Sequence, residues 1–163
     1  MGDSIQVYAE CYANLWFARK LEENLKNLEA FEIHHKPTMG RDKILKKLSR
    51  VKGLAIGVID YEEGQARNFL DAQSSEYRRI DEKLSIRVGS QKLKGKLLVV
   101  FDPKFEDHPV IKENLPGDFR SWIKSKEALS KLLILQKAES FERILNIAAN
   151  HLSEVLIRLK EGK

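Results

Sequence analysis

The chain has 163 residues, 42% of them hydrophobic, which is enough for one domain with its own core. Its single cysteine, Cys11, excludes an intramolecular disulfide framework and fits a reducing cytosol, and no apolar run nears the roughly 20 residues that cross a bilayer. A formal net charge of +5 admits a polyanionic partner, and the opening MGDSIQVYAE lacks the basic-then-apolar plan of a secretory leader, so a cytoplasmic protein is expected.

Ile5 to Glu10 alternates in the manner of a strand. From Tyr12 to Leu28 the positions Leu15, Trp16, Leu21, Leu25 and Leu28 recur at helical spacing, which predicts a helix with Trp16 and Phe17 in the core. Phe31 to His35 reads as a second strand, closed by Pro37. Thr38 is placed to cap a helix from about Arg41 to Arg50, whose Ile44, Leu45 and Leu48 face inward. The run GLAIGVID, residues 53–60, predicts the most buried strand. Residues 65–82 are polar and show no period. Leu84 to Val88 alternates like an edge or half-exposed strand, and Leu97 to Phe101 reads as a further buried one. Beyond Pro116 and Gly117 the pattern is helical, first over Leu129 to Gln136 and then over Phe141 to Leu159.

Strand and helix alternate through the first three strands, the order of an α/β fold with a central, mainly parallel sheet and a three-layer sandwich. No linker or repeat interrupts the chain, so 1–163 reads as a single domain with 119–163 as its helical C-terminal part. The apolar residues of those last helices either pack on the sheet or form a homodimer seam, and spacing does not choose between them.

The buried strands end in carboxylates: Glu10 after the first, Asp60 and Glu62 after the third, Asp102 after LLVVF. In an open parallel sheet ligands bind beyond the carboxyl ends of the strands, so these acids are expected to converge. Asp60 and Glu62, two apart in an extended segment, point the same way. Converging carboxylates call for a cation, and hard oxygen donors suit Mg²⁺ or Mn²⁺. Glu106, beside His108, extends the acidic set together with Asp102.

Six basic residues against one acid, Asp42, lie between Lys36 and Arg50. Lys36, Arg41 and Lys43 precede or open a helix whose N-terminus favours an anion, which makes them candidates for binding phosphate or nucleic acid. There is no Walker-type glycine spacing. His34 and His35 are adjacent on a strand and point oppositely, and with only His108 and His151 besides, a zinc site is not expected. Aromatic residues are too scattered for a base-stacking platform.

Glu10 closing a first strand, the helix GRDKILKKL, and then a hydrophobic strand ending Asp60-Tyr61-Glu62 together resemble the Toprim domain of topoisomerases, primases and OLD-type nucleases. The resemblance covers roughly residues 5 to 108. It implies that Glu10, Asp60 and Glu62 are metal ligands and catalytic residues, holding Mg²⁺ for phosphodiester chemistry, with a nuclease-like role ahead of a topoisomerase role. Cys11 and Tyr12 stand where the family has glycine, and Glu62 stands where it has aspartate. The other reading is a catalytically silent α/β binding or assembly protein that dimerises through its terminal helices.

Overall fold

The computed structural model describes residues 4–26, 29–36 and 39–161. Strands β1 (Ile5–Ala9), β2 (Phe31–His34), β3 (Ala55–Asp60), β4 (Ser74–Asp81), β5 (Leu84–Gly89) and β6 (Lys96–Phe101) form one sheet in the order β2-β1-β3-β6-β5-β4. The first four in that order run parallel, whereas β5 is antiparallel to β6 and β4 antiparallel to β5. Six helices accompany them among the described residues: α1 (Tyr12–Glu23), α2 (Arg41–Arg50), α3 (Gln65–Gln73), α4 (Pro109–Asn114), α5 (Ala128–Lys131) and α6 (Glu139–Lys160).

Successive side chains of a strand go to opposite faces, and here both faces are apolar. On β3, Ile56 and Val58 join one core and Ala55 and Ile59 the other. On β6, Leu97, Val99 and Phe101 are sorted from Leu98 and Val100 in the same way. The first core is closed by α1, α4, α5 and α6, and the second by α2 and α3 through Ile44, Leu45, Leu48, Ala66 and Leu70. The result is the expected three-layer α/β sandwich.

The structure differs from the expected elements, or goes beyond them, at several points. Residues 65–82, which show no period, are α3 and β4. Only Ala66 and Leu70 of α3 are buried, and register shifts between Glu76 and Arg78 and between Arg79 and Asp81 break the alternation of β4. β5, expected as an edge or half-exposed strand, is interior, with Leu84–Ile86 buried and Arg87–Gly89 half-buried, and β4 is the edge. The first helix ends at Glu23, followed by buried Leu25. Leu28 and Thr38 lie outside the described residues, and Gly40, without a side-chain cap, occupies the N-cap of α2. The segment over 129–136 is α5 followed by 3₁₀ turns over Leu132–Lys137. Leu135, Phe141, Leu145, Leu152 and Leu156 pack on the chain's own sheet, leaving Leu133, Ile134, Ile147 and Ile157 exposed.

Strand β1 lies between β2 and β3. The chain leaves β1 through α1 on one face and leaves β3 through α3 on the other. The connections therefore diverge at the carboxyl ends of β1 and β3 and open a crevice there.

Candidate functional site

The crevice is built around Asp60, the last residue of β3. Its position places it on the α1 side with Ile56 and Val58, and it is 0% exposed. Asp60 Oδ1 accepts from the Phe105 backbone N–H at 3.0 Å and from Asn14 Nδ2 at 3.4 Å. Asn14, itself fully buried at the start of α1, accepts from the Cys11 thiol at 2.7 Å. The second oxygen, Asp60 Oδ2, is buried with no hydrogen-bond partner.

Three more carboxylates close on it. Glu10 follows β1, its backbone N–H held by Val58 O at 3.1 Å, and its Oε1 accepts the Asp60 N–H at 2.9 Å. Glu62 stands two residues past Asp60. Glu106 comes from the 3₁₀ turn Phe105–Asp107 after β6, where buried Phe105 packs edge-on against Phe101 and Phe17 and draws the turn over the crevice. Glu106 is 5% exposed, and its Oε1 has no hydrogen-bond partner.

Cations are interleaved with these acids. Arg41 opens α2 and bridges Glu10 Oε2 (3.5 Å from Nε) and Glu62 Oε2 (3.6 Å from Nη2). Its Nη1 also donates to Glu62 O at 3.1 Å. Lys104 Nζ is 3.6 Å from Glu62 Oε1. Lys124 Nζ lies 3.6 Å from Glu106 Oε2, 3.8 Å from Glu62 Oε1 and 3.9 Å from Asp60 Oδ2. Lys124 is presented by a turn that Trp122 and Ile123 anchor in the core.

Charge crowding and burial set the protonation of the site. Burial, then the Glu10 carboxylate, push Asp60 up to about 7 from its ordinary 3.8. Glu10 is also raised, chiefly by burial, with the Asp60 N–H and Arg41 pulling the other way. Burial works against the charge of Lys124, but Glu106 and then Asp60 outweigh it and its pKa is raised. Burial, together with Asp60, lifts the Cys11 thiol to about 12, which removes it as a nucleophile at neutral pH.

The fold thus brings Glu10, Asp60 with Glu62, and Glu106 together from three segments distant in sequence. Asp102 is not among them. It pairs with Arg67 at 3.4 Å. Among the described residues no three His, Cys, Asp or Glu side chains stand close enough, as placed, to close on a metal ion. Arg41 is in the mouth but is engaged by the acids, whereas Lys43 is exposed on the first turn of α2 and Lys36 is exposed after β2. His108 is buried away from the mouth, 2.7 Å from Asp81. His34 stacks on Tyr8 while His35 meets Tyr12, so the two are not a ligand pair.

A cleft of about 450 Å³ beside Arg41 is lined by the uncapped starts of α2 and α3, including Gly40, Lys43 and Gly64. It continues into a groove of about 490 Å³ between these helices, floored by Leu45, Ala66 and Phe69 and rimmed by Lys46 and Lys92.

Asn14, Lys104 and Lys124 were not legible as site residues. The one signal for Asn14 is an amide inside the apolar helical face of YANLWF. Lys124 carries no signal of its own, because only the return of the chain after β6 places it over the acids. No family model, curated protein or solved structure matches the chain.

Proposed function

We propose that this is a Toprim-like α/β protein whose strand-end carboxylates Glu10, Asp60 and Glu62 hold Mg²⁺ or Mn²⁺ for nuclease-like phosphodiester chemistry on nucleic acid. The observation that carries the reading is Asp60. A carboxylate with no exposure and a bare Oδ2, facing further acids in the switch-point crevice, is costly to keep charged without a cation. The donor set fits such an ion, since carboxylate oxygens are what Mg²⁺ and Mn²⁺ take. When bound, the metal polarises a phosphoryl oxygen and lowers the pKa of a bound water.

The chain's own residues supply the rest. Asn14 and the Phe105 N–H fix the orientation of Asp60 through Oδ1 and leave Oδ2 directed toward Lys124. Glu10 accepts the Asp60 N–H and so ties the ends of β1 and β3 together. Arg41 holds Glu10 and Glu62 at one guanidinium. Lys43, Lys46 and Lys92, with Asp42 and Glu63 among them, give a polyanion a net basic path along the α2–α3 groove toward the mouth.

The test is thermal unfolding of wild type and Asp60→Ala with Mg²⁺, Mn²⁺ or EDTA, followed by cleavage assays on DNA and RNA. A ligand at a hundred times its dissociation constant adds about 2.7 kcal/mol, several degrees of Tm. The reading expects that shift in wild type and its loss in the variant. Millimolar Mn²⁺ that moves neither protein, and does not move a Lys124→Met variant either, sinks it.

A second reading is a catalytically silent assembly protein that pairs through its C-terminal helices. Exposed Leu133, Ile134 and Ile157 and the cation-filled mouth favour it. It expects a dimer by light scattering together with no metal-dependent shift.

A further inference from the structure

We infer that Glu106 is a further donor of this cation site and that Lys124 is its resident counter-ion, displaced when a divalent cation of the Mg²⁺ or Mn²⁺ class enters. The inference rests on the metal reading above and adds to it one ligand and one competitor.

The first observation is a deficit of hydrogen bonds. Asp60 Oδ2 and Glu106 Oε1 are both buried and both without a partner, although an ammonium lies nearby. A lysine paired with one carboxylate closes to about 2.8 Å. Lys124 does not. It stands 3.6, 3.8 and 3.9 Å from three carboxylates at once, nearly equidistant and bonded to none. That is the position of a charge held by the summed field of the three acids. A metal ion at the same point would draw in Asp60 Oδ2, Glu62 Oε1 and Glu106 Oε2, the oxygens that face Lys124, to about 2.0–2.1 Å and would satisfy the bare Asp60 Oδ2.

The second observation concerns which oxygens are free. Glu10 has Oε1 engaged by the Asp60 N–H and Oε2 facing Arg41, so it offers a cation only the lone pairs these leave. Glu106 enters from the opposite side, on a turn whose Phe105 is anchored in the core. Its neighbour is not another acid's hydrogen-bond donor but the same ammonium. Asp60, Glu62 and Glu106 therefore face the one position that Lys124 holds, and Glu106 joins Glu10, Asp60 and Glu62 as a fourth donor.

The third is freedom to leave. Lys124 is 44% exposed and stands on a turn between Ser121 and Ala128, so its flexible stem can carry the ammonium out to water. The two cations exclude one another, because a divalent ion and an ammonium within about 4 Å repel strongly in a partly buried site.

The test is Mn²⁺ titration, followed by the loss of the free-ion electron paramagnetic signal, on the full chain as wild type, Lys124→Met, Glu106→Gln and Asp60→Asn. Circular dichroism without metal checks each fold. Lys124→Met is expected to tighten Mn²⁺ binding by about tenfold or more, and Glu106→Gln to weaken it by about as much, the scale of one close charge at such a site. Lys124→Gln stands in if the Met variant does not fold. Should Asp60→Asn abolish binding while both Lys124 and Glu106 variants bind as wild type, this inference is overturned and the metal reading survives. Should neither wild type nor the Lys124 variants bind Mn²⁺, both fall. Binding by Lys124→Met alone supports the ammonium as the occluding cation.

Discussion

Asp60 carries three roles that a single carboxylate rarely combines. Its backbone ends the central strand, its Oδ1 pins two elements, and its Oδ2 is left bare. Because its folded pKa is raised to about 7 from 3.8, the native state binds the proton more tightly than the unfolded chain does. Stability from this residue is therefore largest at low pH and falls as pH rises through roughly 4 to 7, by about 4 kcal/mol at most for a shift of this size. Asp60→Asn keeps an acceptor for the Phe105 N–H and removes the buried charge. We expect the variant to be more stable than wild type at pH 8 in metal-free buffer, with the difference vanishing near pH 4. Urea unfolding at the two pH values measures it, and a variant less stable at pH 8 contradicts the account.

At the scale of elements, the crevice depends on how closely α2 lies on β3. Gly57 sits mid-strand on the α2 face, where an added Cβ would stand 2.8 Å from Leu48 Cδ1 and 3.2 Å from Leu98 Cδ2. Leu48 and Leu98 are fully buried and have little room to yield. Overpacking of this kind costs about 1–3 kcal/mol. Gly57→Ala is expected to lower the urea midpoint by that amount with an unchanged slope, and, since Arg41 begins the displaced helix, to loosen Arg41 from Glu10 and Glu62. The elements least legible beforehand, α3 and β4, are those with least to bury. Two buried residues give α3 no visible stripe, and the register shifts of β4 erase its period of two.

At the scale of the molecule, the excess of positive charge is arranged beside the acids and not over them. Lys43, Lys46 and Lys92 rim the groove that runs to the mouth, while Arg41, Lys104 and Lys124 are spent on carboxylates. If a single strand of nucleic acid follows this groove, affinity falls with salt at a logarithmic slope of about 0.7 per phosphate contact. Replacing Lys43, Lys46 and Lys92 together by alanine is expected to reduce that slope by about 2 and to leave the metal-induced Tm shift in place. Fluorescence anisotropy of a labelled oligonucleotide across a salt series reads the first, and thermal unfolding the second. An unchanged slope places the nucleic acid elsewhere.

What the sequence determined by itself was the architecture and the central acids. Short unbroken apolar runs bounded by glycine and acids read as strands buried on both faces, and the helical stripes between them point to a mainly parallel, three-layer arrangement that covers both sides. That Glu10 and Asp60 stand at neighbouring strand ends follows from the order β2-β1-β3, which the sequence did not specify. What only the tertiary structure decided was the company those acids keep. Glu106 belongs to the site and Asp102 does not, because Phe105 folds the turn after β6 inward while Asp102 pairs outward with Arg67. Lys124 reaches the mouth from far down the chain because Trp122 and Ile123 lock its turn into the core. Contacts of that kind depend on packing between distant segments, and no local periodicity encodes them.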